Sequence, residues 1–252
     1  FRMSQSKSDG FDAYVLAEFL RTDHTHLRAL EPDSAQAQEL KMLTRDHQRL
    51  LRQKTRLLNQ MTITLKEYYP RALEVFDDLE TQIARDFLHA YPTPQGLSRM
   101  TRPQWKRFAK GEHHLSEARW QELWEKINKP QITIPDHVVR AKAKLLLALV
   151  AQLEVGVKAV HDYSQEVERF FAALPAAKIA RTLPGAKSDT TMPTLWAELG
   201  DAKNRWNSFR HLQAEAGTVP VTKASGKSRM VQFRFACKKR LRAMYWFAFN
   251  SL

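Results

Sequence analysis

Apolar residues recur at helical spacing along two long segments of the chain. In residues 35–67 leucines return every seven positions in two series; these are Leu43, Leu50 and Leu57, and then Leu51, Leu58 and Leu65. In residues 139–171 a second series steps by four and three and is apolar except at Ser164; it comprises Val139, Ala143, Leu146, Val150, Leu153, Val157, Val160, Ser164, Val167 and Phe171. Both patterns predict long coiled-coil helices. Tyr68-Tyr69-Pro70 predicts the end of the first, because proline disfavours helical geometry in the residue before it.

The length of these helices limits how they can be buried. A helix of about thirty residues is about 45 Å long, which is more than one small domain can enclose. We therefore expect the second helix to pair with the first, with another subunit, or with both. An ordinary helical bundle without self-association stays open as the alternative, because heptads alone do not exclude it.

A helical insert is predicted between the two long helices, over residues 84–135. Helix starts are expected at Thr101, which precedes Pro103, and at Ser116, whose helix runs toward Ile127. Three tryptophans are predicted to form a small core rather than a base-stacking surface; they are Trp105, Trp120 and Trp124. Three cations of this segment could contact nucleic acid, although a solvated face is the favoured interpretation; they are Lys106, Arg107 and Lys110.

The chain opens with an amphipathic helix, predicted over residues 7–21, that carries two acids in its first turn. Its apolar positions are Phe11, Val15, Leu16, Phe19 and Leu20. Asp9 and Asp12 lie three positions apart, so they face the same side of the helix. Such a pair can share a divalent cation such as Mg²⁺, which prefers oxygen ligands. A capping role is the alternative, because acids in a first turn stabilise the helix dipole.

The C-terminal region, residues 175–252, is predicted to contain further helices around a basic loop. Leu183-Pro184-Gly185 is expected to form a turn before a helix that ends at Gly200. Such a turn can offer backbone amides to a phosphate. Ser225-Gly226 is expected to lie in a loop between two helices, the second of which runs from Val231 to Leu252.

Charge is distributed unevenly along the chain. The net charge is +13 and the isoelectric point is near 9.9, which indicates an anionic partner. Residues 201–252 contain eleven Lys and Arg against two acids, so this fifth of the chain carries +9 of the total. The asymmetry predicts a nucleic-acid-binding C-terminal region. The candidate contacts are Lys187, Lys223, Lys227, Arg229, Arg234, Lys238, Lys239 and Arg242.

The serine in the basic loop is a candidate nucleophile. A hydroxyl that attacks phosphorus needs nearby cations to neutralise the charge of the transition state, and Ser225 is surrounded by them in sequence. Gly226 would let a backbone approach closely. On the local sequence alone, a solvated turn is the competing interpretation, and Ser228 and Ser8 are the weaker candidates for the same role.

Cysteine content and hydropathy indicate in which cellular compartment the protein is expected. Cys237 is the single cysteine, so no intramolecular disulfide can form, and a reducing cytoplasm fits. No apolar run of about eighteen residues is present, so no membrane span is expected. The polar first residues are unlike a signal peptide.

Several segments together resemble one known family. SKSDGFDAYVLAEFLRT is similar to the last acidic motif of the RuvC-like DEDD domain in the insertion-sequence transposases of the IS110 and Piv group, with Asp9 and Asp12 on its last two acids. LLRQKTRLLNQMTITLKEYYPRAL, LPGAKSDTTMPTLWAELGDA and the Ser225-Gly226 loop with FACKKRLRAMYWFAFNS also resemble this family, in its order. The resemblance covers essentially the whole chain.

The resemblance implies a mainly α fold with five parts. These are the end of a RuvC-like domain (1–34), a first coiled-coil helix (35–83), the helical insert (84–135), a second, antiparallel coiled-coil helix (136–174), and a C-terminal domain like a helix-hairpin-helix (175–252). In the family the first acid and a later glutamate lie on strands upstream of the helix with which this chain begins. We therefore expect the chain to lack most of that nuclease domain and to be inactive alone.

The resemblance further implies a DNA recombinase, with Asp9 and Asp12 as Mg²⁺ ligands and Ser225 as the nucleophile of a serine–phosphate intermediate. It implies a bridge RNA as guide, a homo-oligomer formed through the coiled coil, and a place beside the nucleoid of a prokaryotic cytoplasm. Two rival interpretations stay open. One is a non-catalytic coiled-coil protein that binds nucleic acid, and the other is a metal-dependent nuclease in which Ser225 is structural.

Overall fold

The computed structural model of the protein describes residues 9–27, 29, 31–180, 182, 190–202, 205–206, 208–226 and 228–250. Helices dominate these residues, and one two-stranded antiparallel sheet accompanies them, which confirms the predicted mainly α class. None of the helices in the described ranges combines the length and the apolar character needed to cross a bilayer.

The chain divides into two compact units. One contains Phe1–Glu39 and Leu195–Leu252, and the other contains Leu40–Thr194. The helices are α1 (Asp9–Asp23), α2 (Ala35–Tyr68), α3 (Pro70–Val75), α4 (Gln82–Ala90), α5 (Pro94–Ser98), α6 (Arg102–Lys106), α7 (Glu117–Ile127), α8 (Asp136–Ala172), α9 (Ala176–Ala180), α10 (Thr191–Leu199), α11 (Phe209–Ala216) and α12 (Lys239–Asn250), with a π-helical turn at Arg107–Glu112 and strands β1 (Val221–Ser225) and β2 (Ser228–Gln232).

The two predicted long helices, α2 and α8, are present and contact each other. Glu67, near the end of α2, pairs with Lys142, near the start of α8. Leu57, ten residues earlier in α2, lies next to Gly156, fourteen residues later in α8. Because the partners run in opposite directions along the two helices, α2 and α8 are antiparallel. Helix α2 ends at Tyr68, and Tyr69, the residue before Pro70, is not helical, as the sequence predicts.

The insert shares one hydrophobic core with both long helices. Met61 and Leu65 of α2 and Leu146 and Leu153 of α8 belong to the same buried cluster as the tryptophans of the insert. Trp105 is fully buried, and its indole Nε1 donates a 2.8 Å hydrogen bond to the carbonyl oxygen of Trp120. Trp124 packs against the cluster from its edge. The prediction that these tryptophans form a core is therefore confirmed.

Both predicted helix starts in the insert have capping side chains. Ser116 caps α7, and its hydroxyl accepts a hydrogen bond from the backbone N–H of Arg119. Thr101 precedes α6 and forms a capping box with Gln104, whose side-chain oxygen accepts from the Thr101 N–H at 2.8 Å. Helix α6 is only five residues long, because the backbone widens into the π-helical turn after Lys106.

In the other unit, α1 has no buried residue. Its apolar positions are between 46% and 69% exposed; they are Phe11, Val15, Leu16, Phe19 and Leu20. The apolar stripe that the sequence predicts is therefore present on the helix, and its side chains remain largely accessible to solvent.

A group of polar contacts joins the segment before α2 to the segment after α10. Arg205 Nη2 lies 2.8 Å from Asp33 Oδ1, and the Asp33 side chain is only 8% exposed. Asp201 accepts hydrogen bonds from the Ser34 N–H at 2.9 Å and from the Ser34 hydroxyl at 2.5 Å. In return, the Asp201 N–H donates to Asp33 at 3.2 Å. We call Asp33, Ser34, Asp201 and Arg205 the head–tail clasp, because it joins segments more than 160 residues apart in sequence.

Gly200, which ends α10 as predicted, makes the clasp possible. Its φ of +73° lies in the left-handed region that favours glycine. A Cβ atom there would overlap the Arg205 guanidinium and the Asp33 carboxylate. We therefore predict that Gly200→Ala lowers the free energy of unfolding by about 2 kcal/mol or more, since backbone strain and steric overlap add. Chemical denaturation of the two proteins measures the difference.

Gly10→Ala is the matched control. Gly10 lies in α1, and a Cβ there would meet no atom within 4 Å. This substitution should leave stability unchanged or raise it by up to about 1 kcal/mol, because alanine favours helix more than glycine does. Equal stability of the two variants would contradict the role given to Gly200.

Candidate active site and nucleic-acid interface

Ser225 lies at the tip of a β-hairpin, which corrects the prediction of a loop between two helices. Strands β1 and β2 pair in antiparallel register, with Ser225 opposite Ser228 and Val221 opposite Gln232. Gly226 has a φ of +56°, as the first residue of a tight two-residue connection requires. The signal was present in the sequence, because valine, which favours strands, lies on both sides of the Ser-Gly turn, and Thr222 lies before it.

The predicted helix from Val231 to Leu252 is wrong over its first part. Val231 and Gln232 belong to β2, and helix α12 begins only at Lys239. The residues between them have no regular helix or strand. The strand pairing of Val231 with Thr222 overrides the helical alternation that was read from the sequence.

The hairpin places its cations on two faces. Side chains alternate along a strand, and directly opposed residues share a face. Lys223 therefore lies on the same face as Ser225, together with Ser228 and Met230, whereas Arg229 lies on the other face with Ala224. Both cations and both serines are exposed. Lys227 lies outside the described residues.

Arg242 has a role that the sequence did not reveal. Its Nη2 donates to the carbonyl oxygen of Arg234 and lies 2.7 Å from Cys237 Sγ, and its Nε lies 3.4 Å from the carbonyl oxygen of Ala216. Gly217 ends α11 with a φ of +69°, and a Cβ there would overlap the Arg242 guanidinium. This guanidinium therefore fastens α11 and the segment after the hairpin to α12.

The other cations predicted to contact nucleic acid in this region differ in exposure and in whether they pair with a carboxylate. Lys238 pairs with Glu215, and its ammonium lies 5.5 Å from the ring centre of Trp206. Lys239 is exposed, and the side chain of Arg234 is half-buried. Arg240, which the sequence analysis did not select, lies 3.6 Å from the buried carboxylate of Glu198. Lys187 lies outside the described residues. Among the described residues, Lys223, Arg229 and Lys239 are thus exposed cations, and Lys238 is exposed but paired with Glu215.

The acidic pair is exposed on the first turn of α1. Asp9 and Asp12 are both on the surface, three positions apart on one helix face. Across the described ranges, no cluster of three or more His, Cys, Asp or Glu side chains forms a metal site. Two accessible carboxylates on one helical turn fit the partial ligand set of a Mg²⁺ ion, which commonly takes one or two protein carboxylates plus substrate phosphates and water.

The acidic helix and the serine hairpin belong to the same unit of the fold. Both lie in the unit made of Phe1–Glu39 and Leu195–Leu252, although more than 200 residues separate them in sequence. The contacts that join the two segments include the head–tail clasp. The structure thus assembles the beginning and the end of the chain in one body and leaves the acids and the serine accessible.

Comparisons with known proteins find family matches at both ends of the chain. A DEDD transposase model of the IS110 type matches residues 1–70, and a model described as "Transposase IS116/IS110/IS902 family" matches residues 177–252. The mini-circle putative transposase for IS117 of Streptomyces coelicolor is 33% identical over 99% of the chain and 62% of its own length. An insertion element IS110 protein from the same organism is 25% identical over 89% of the chain and 55% of its own length. The chain thus spans about 60% of these relatives.

We predict that Arg242 and Lys239, neighbouring cations of α12, differ in their effect on stability. Arg242→Ala should lower the free energy of unfolding by about 2 kcal/mol, because charged hydrogen bonds to backbone carbonyls are lost. Lys239→Ala should change it by less than about 0.5 kcal/mol, as is usual for exposed positions. Urea denaturation measures both. If Arg242→Ala unfolds at the same urea concentration as Lys239→Ala, the fastening role of Arg242 is wrong.

Proposed function

Because the chain belongs to the IS110 family of insertion-sequence transposases, we propose that it is the serine-bearing part of a DNA recombinase that cuts and rejoins strands through a serine–phosphate intermediate. One observation carries the proposal. An exposed serine stands at the tip of a cationic hairpin, in the same folded unit as a helix that offers two accessible carboxylates. A serine that only stabilised a turn would need neither the cations of the hairpin nor the two carboxylates.

The chemistry at Ser225 is a transesterification. Its Oγ attacks a DNA phosphate, so one phosphorus–oxygen bond to serine forms while one bond to a deoxyribose oxygen breaks. The hydroxyl proton leaves serine, and the departing sugar oxygen gains a proton. The number of phosphoester bonds is unchanged, so the reverse attack by a DNA hydroxyl can rejoin strands without ATP. Lys223 lies on the same face of the hairpin as Ser225 and would neutralise charge on the attacked phosphate.

Asp9 and Asp12 would hold Mg²⁺ together with ligands from outside the described residues. A bound divalent ion lowers the proton affinity of a hydroxyl and stabilises the negative charge that develops on a phosphate. The carboxylates themselves contribute by being accessible and by sharing a helix face, so both can approach the same ion.

DNA is the proposed substrate, and a bridge RNA is the proposed guide that selects donor and target sequences. The strongly basic C-terminal region supports binding to either polyanion. We also propose a homo-oligomer through the long helices, beside the DNA of a prokaryotic cytoplasm. Apolar side chains remain exposed on these helices, which is compatible with contacts to another copy; they are Met42, Ile63, Leu145 and Val155.

A trapped covalent adduct tests the reaction. The full-length protein that carries this chain is incubated with Mg²⁺ and a plasmid that holds its coding segment with the flanking DNA, and protein-bound DNA is measured after denaturation. Ser225→Ala should reduce the adduct by about 1000-fold or more, because the attacking atom is removed. Ser228→Ala is the matched control, since Ser228 faces Ser225 across the hairpin, and it should retain the adduct.

The acidic pair gives the second arm of this test. Asp9→Asn and Asp12→Asn should each lower adduct formation by about 100-fold while leaving DNA affinity within about twofold, because they alter metal binding rather than phosphate contacts. Strand cleavage without any adduct, lost on Asp9→Asn, would instead identify a metal-dependent nuclease. DNA binding that none of these substitutions changes, without cleavage, would identify a non-catalytic binding protein.

A further inference from the structure

The helical insert carries a stretch of uncompensated positive charge. Residues 87–111 contain no Asp or Glu, yet they contain five Lys and Arg. Four of these cations are exposed, and we call them the insert cationic face; they are Arg99, Arg102, Lys106 and Arg107. Surfaces that serve only solubility usually mix both signs of charge. The sequence analysis favoured a solvated face for the cations of this segment over contact with nucleic acid. The contacts of these side chains in the structure now favour binding to an anion.

Packing fixes two of the four cations side by side. The guanidinium of Arg102 lies 5.6 Å from the ring centre of Trp120, and the ammonium of Lys106 lies 5.8 Å from the same ring. Trp120 is itself almost fully buried and accepts the hydrogen bond from Trp105 through its carbonyl oxygen. A buried ring thus holds both charges at the surface through cation–π attraction. Cations held in this way lose less conformational entropy when they bind an anion.

The fifth cation, Lys110, is paired with a carboxylate at the surface. Lys110 pairs with Glu117, and this hydrogen bond lowers the pKa of the Glu117 carboxyl below its ordinary value. Arg99 and Arg107 have no ion-pair partner among the described residues. Arg107 also borders a cavity of about 540 Å³ that Asp86 and Glu154 help to line, without forming an ion pair with either. The insert cationic face therefore presents charge that direct contacts leave unpaired.

The burial of the aromatic residues in the insert indicates which kind of nucleic acid the surface can bind. Single-stranded nucleic acid is bound by stacking its bases on exposed rings beside cations. No Phe, Tyr or Trp of residues 84–135 is exposed, because Trp105, Phe108 and Trp120 are buried and Tyr91 and Trp124 are half-buried. The insert cationic face therefore offers charge without an exposed ring for stacking. Sequence-independent contact with the phosphates of a duplex requires only such charge.

We propose that the insert cationic face docks on the phosphate backbone of duplex DNA, as a second DNA contact in the unit that does not contain Ser225. The proposal depends on the proposed function only in choosing DNA over duplex RNA. The insert would then hold a duplex independently of the serine hairpin, which lets the protein engage DNA at two places.

Binding of a short labelled DNA duplex to the whole chain tests this proposal. Arg99→Gln/Arg107→Gln is the chosen variant, because these two cations do not cover Trp120. It should weaken binding about tenfold at 50 mM salt and reduce the slope of log affinity against log salt by about 1.8, as loss of two phosphate contacts requires. The charge-retaining variant Arg99→Lys/Arg107→Lys should keep most of the affinity.

Arg49→Gln/Arg169→Gln is the matched control. It removes the same charge from the same unit, but each of these arginines already pairs with a carboxylate on its own helix, Asp46 and Glu166 respectively. It should weaken binding less than twofold. Equal loss in both double variants, or no loss in either, would overturn the proposal, because binding would then follow net charge or another surface.

Binding to duplex RNA and to single-stranded DNA is measured with the same variants. A greater loss of affinity for duplex RNA or for single-stranded DNA than for duplex DNA would also overturn the proposal and would assign the surface to that ligand. All measurements are made with Ser225→Ala in the background, so the result does not depend on catalysis. Failure of docking is thereby distinguishable from failure of the serine chemistry.

Discussion

The nearly buried ion pair between Asp33 and Arg205 is the contact on which the functional account depends. Its partners lie 172 residues apart, and they join the segment that follows the acidic helix to the segment that precedes the serine hairpin. Ser34 reinforces the pair by donating two hydrogen bonds, from its N–H and its hydroxyl, to the Asp201 carboxylate across the same two segments. These contacts join two segments of the unit that contains both the acidic pair and Ser225.

The antiparallel pairing of α2 and α8 organises the other unit of the fold. Helix α8 runs back along α2, with Lys142 paired to Glu67 and Gly156 next to Leu57. The insert packs where core residues of both helices meet the buried tryptophans. The protein thus has one unit that contains Ser225 and a second unit that contains the insert cationic face.

The sequence predicted those features that depend on local pattern. Heptad leucines, Pro70 and the Ser116 cap gave the long helices and the start of α7 correctly. The hairpin was missed because short runs such as Val221–Ser225 carry both strand and helix signals, and the pairing partner decides between them. The fastening role of Arg242 could not be predicted, because its partners include carbonyl oxygens and a thiol that only the folded chain assembles. The acidic pair was identified from its sequence motif. Only the structure shows that it shares a unit of the fold with Ser225.

The most direct measurement identifies the residue to which DNA becomes attached in the proposed reaction. Trypsin cleaves after Lys223, Lys227 and Arg229, so it separates Ser225 in Ala224–Lys227 from Ser228 in Ser228–Arg229. Mass spectrometry of the digested, nuclease-treated adduct should find the nucleotide phosphate on Ala224–Lys227. A nucleotide on Ser228–Arg229 or on any other peptide would contradict the assignment of Ser225. Complete absence of a modified peptide from DNA that the protein has cleaved would contradict the serine mechanism itself.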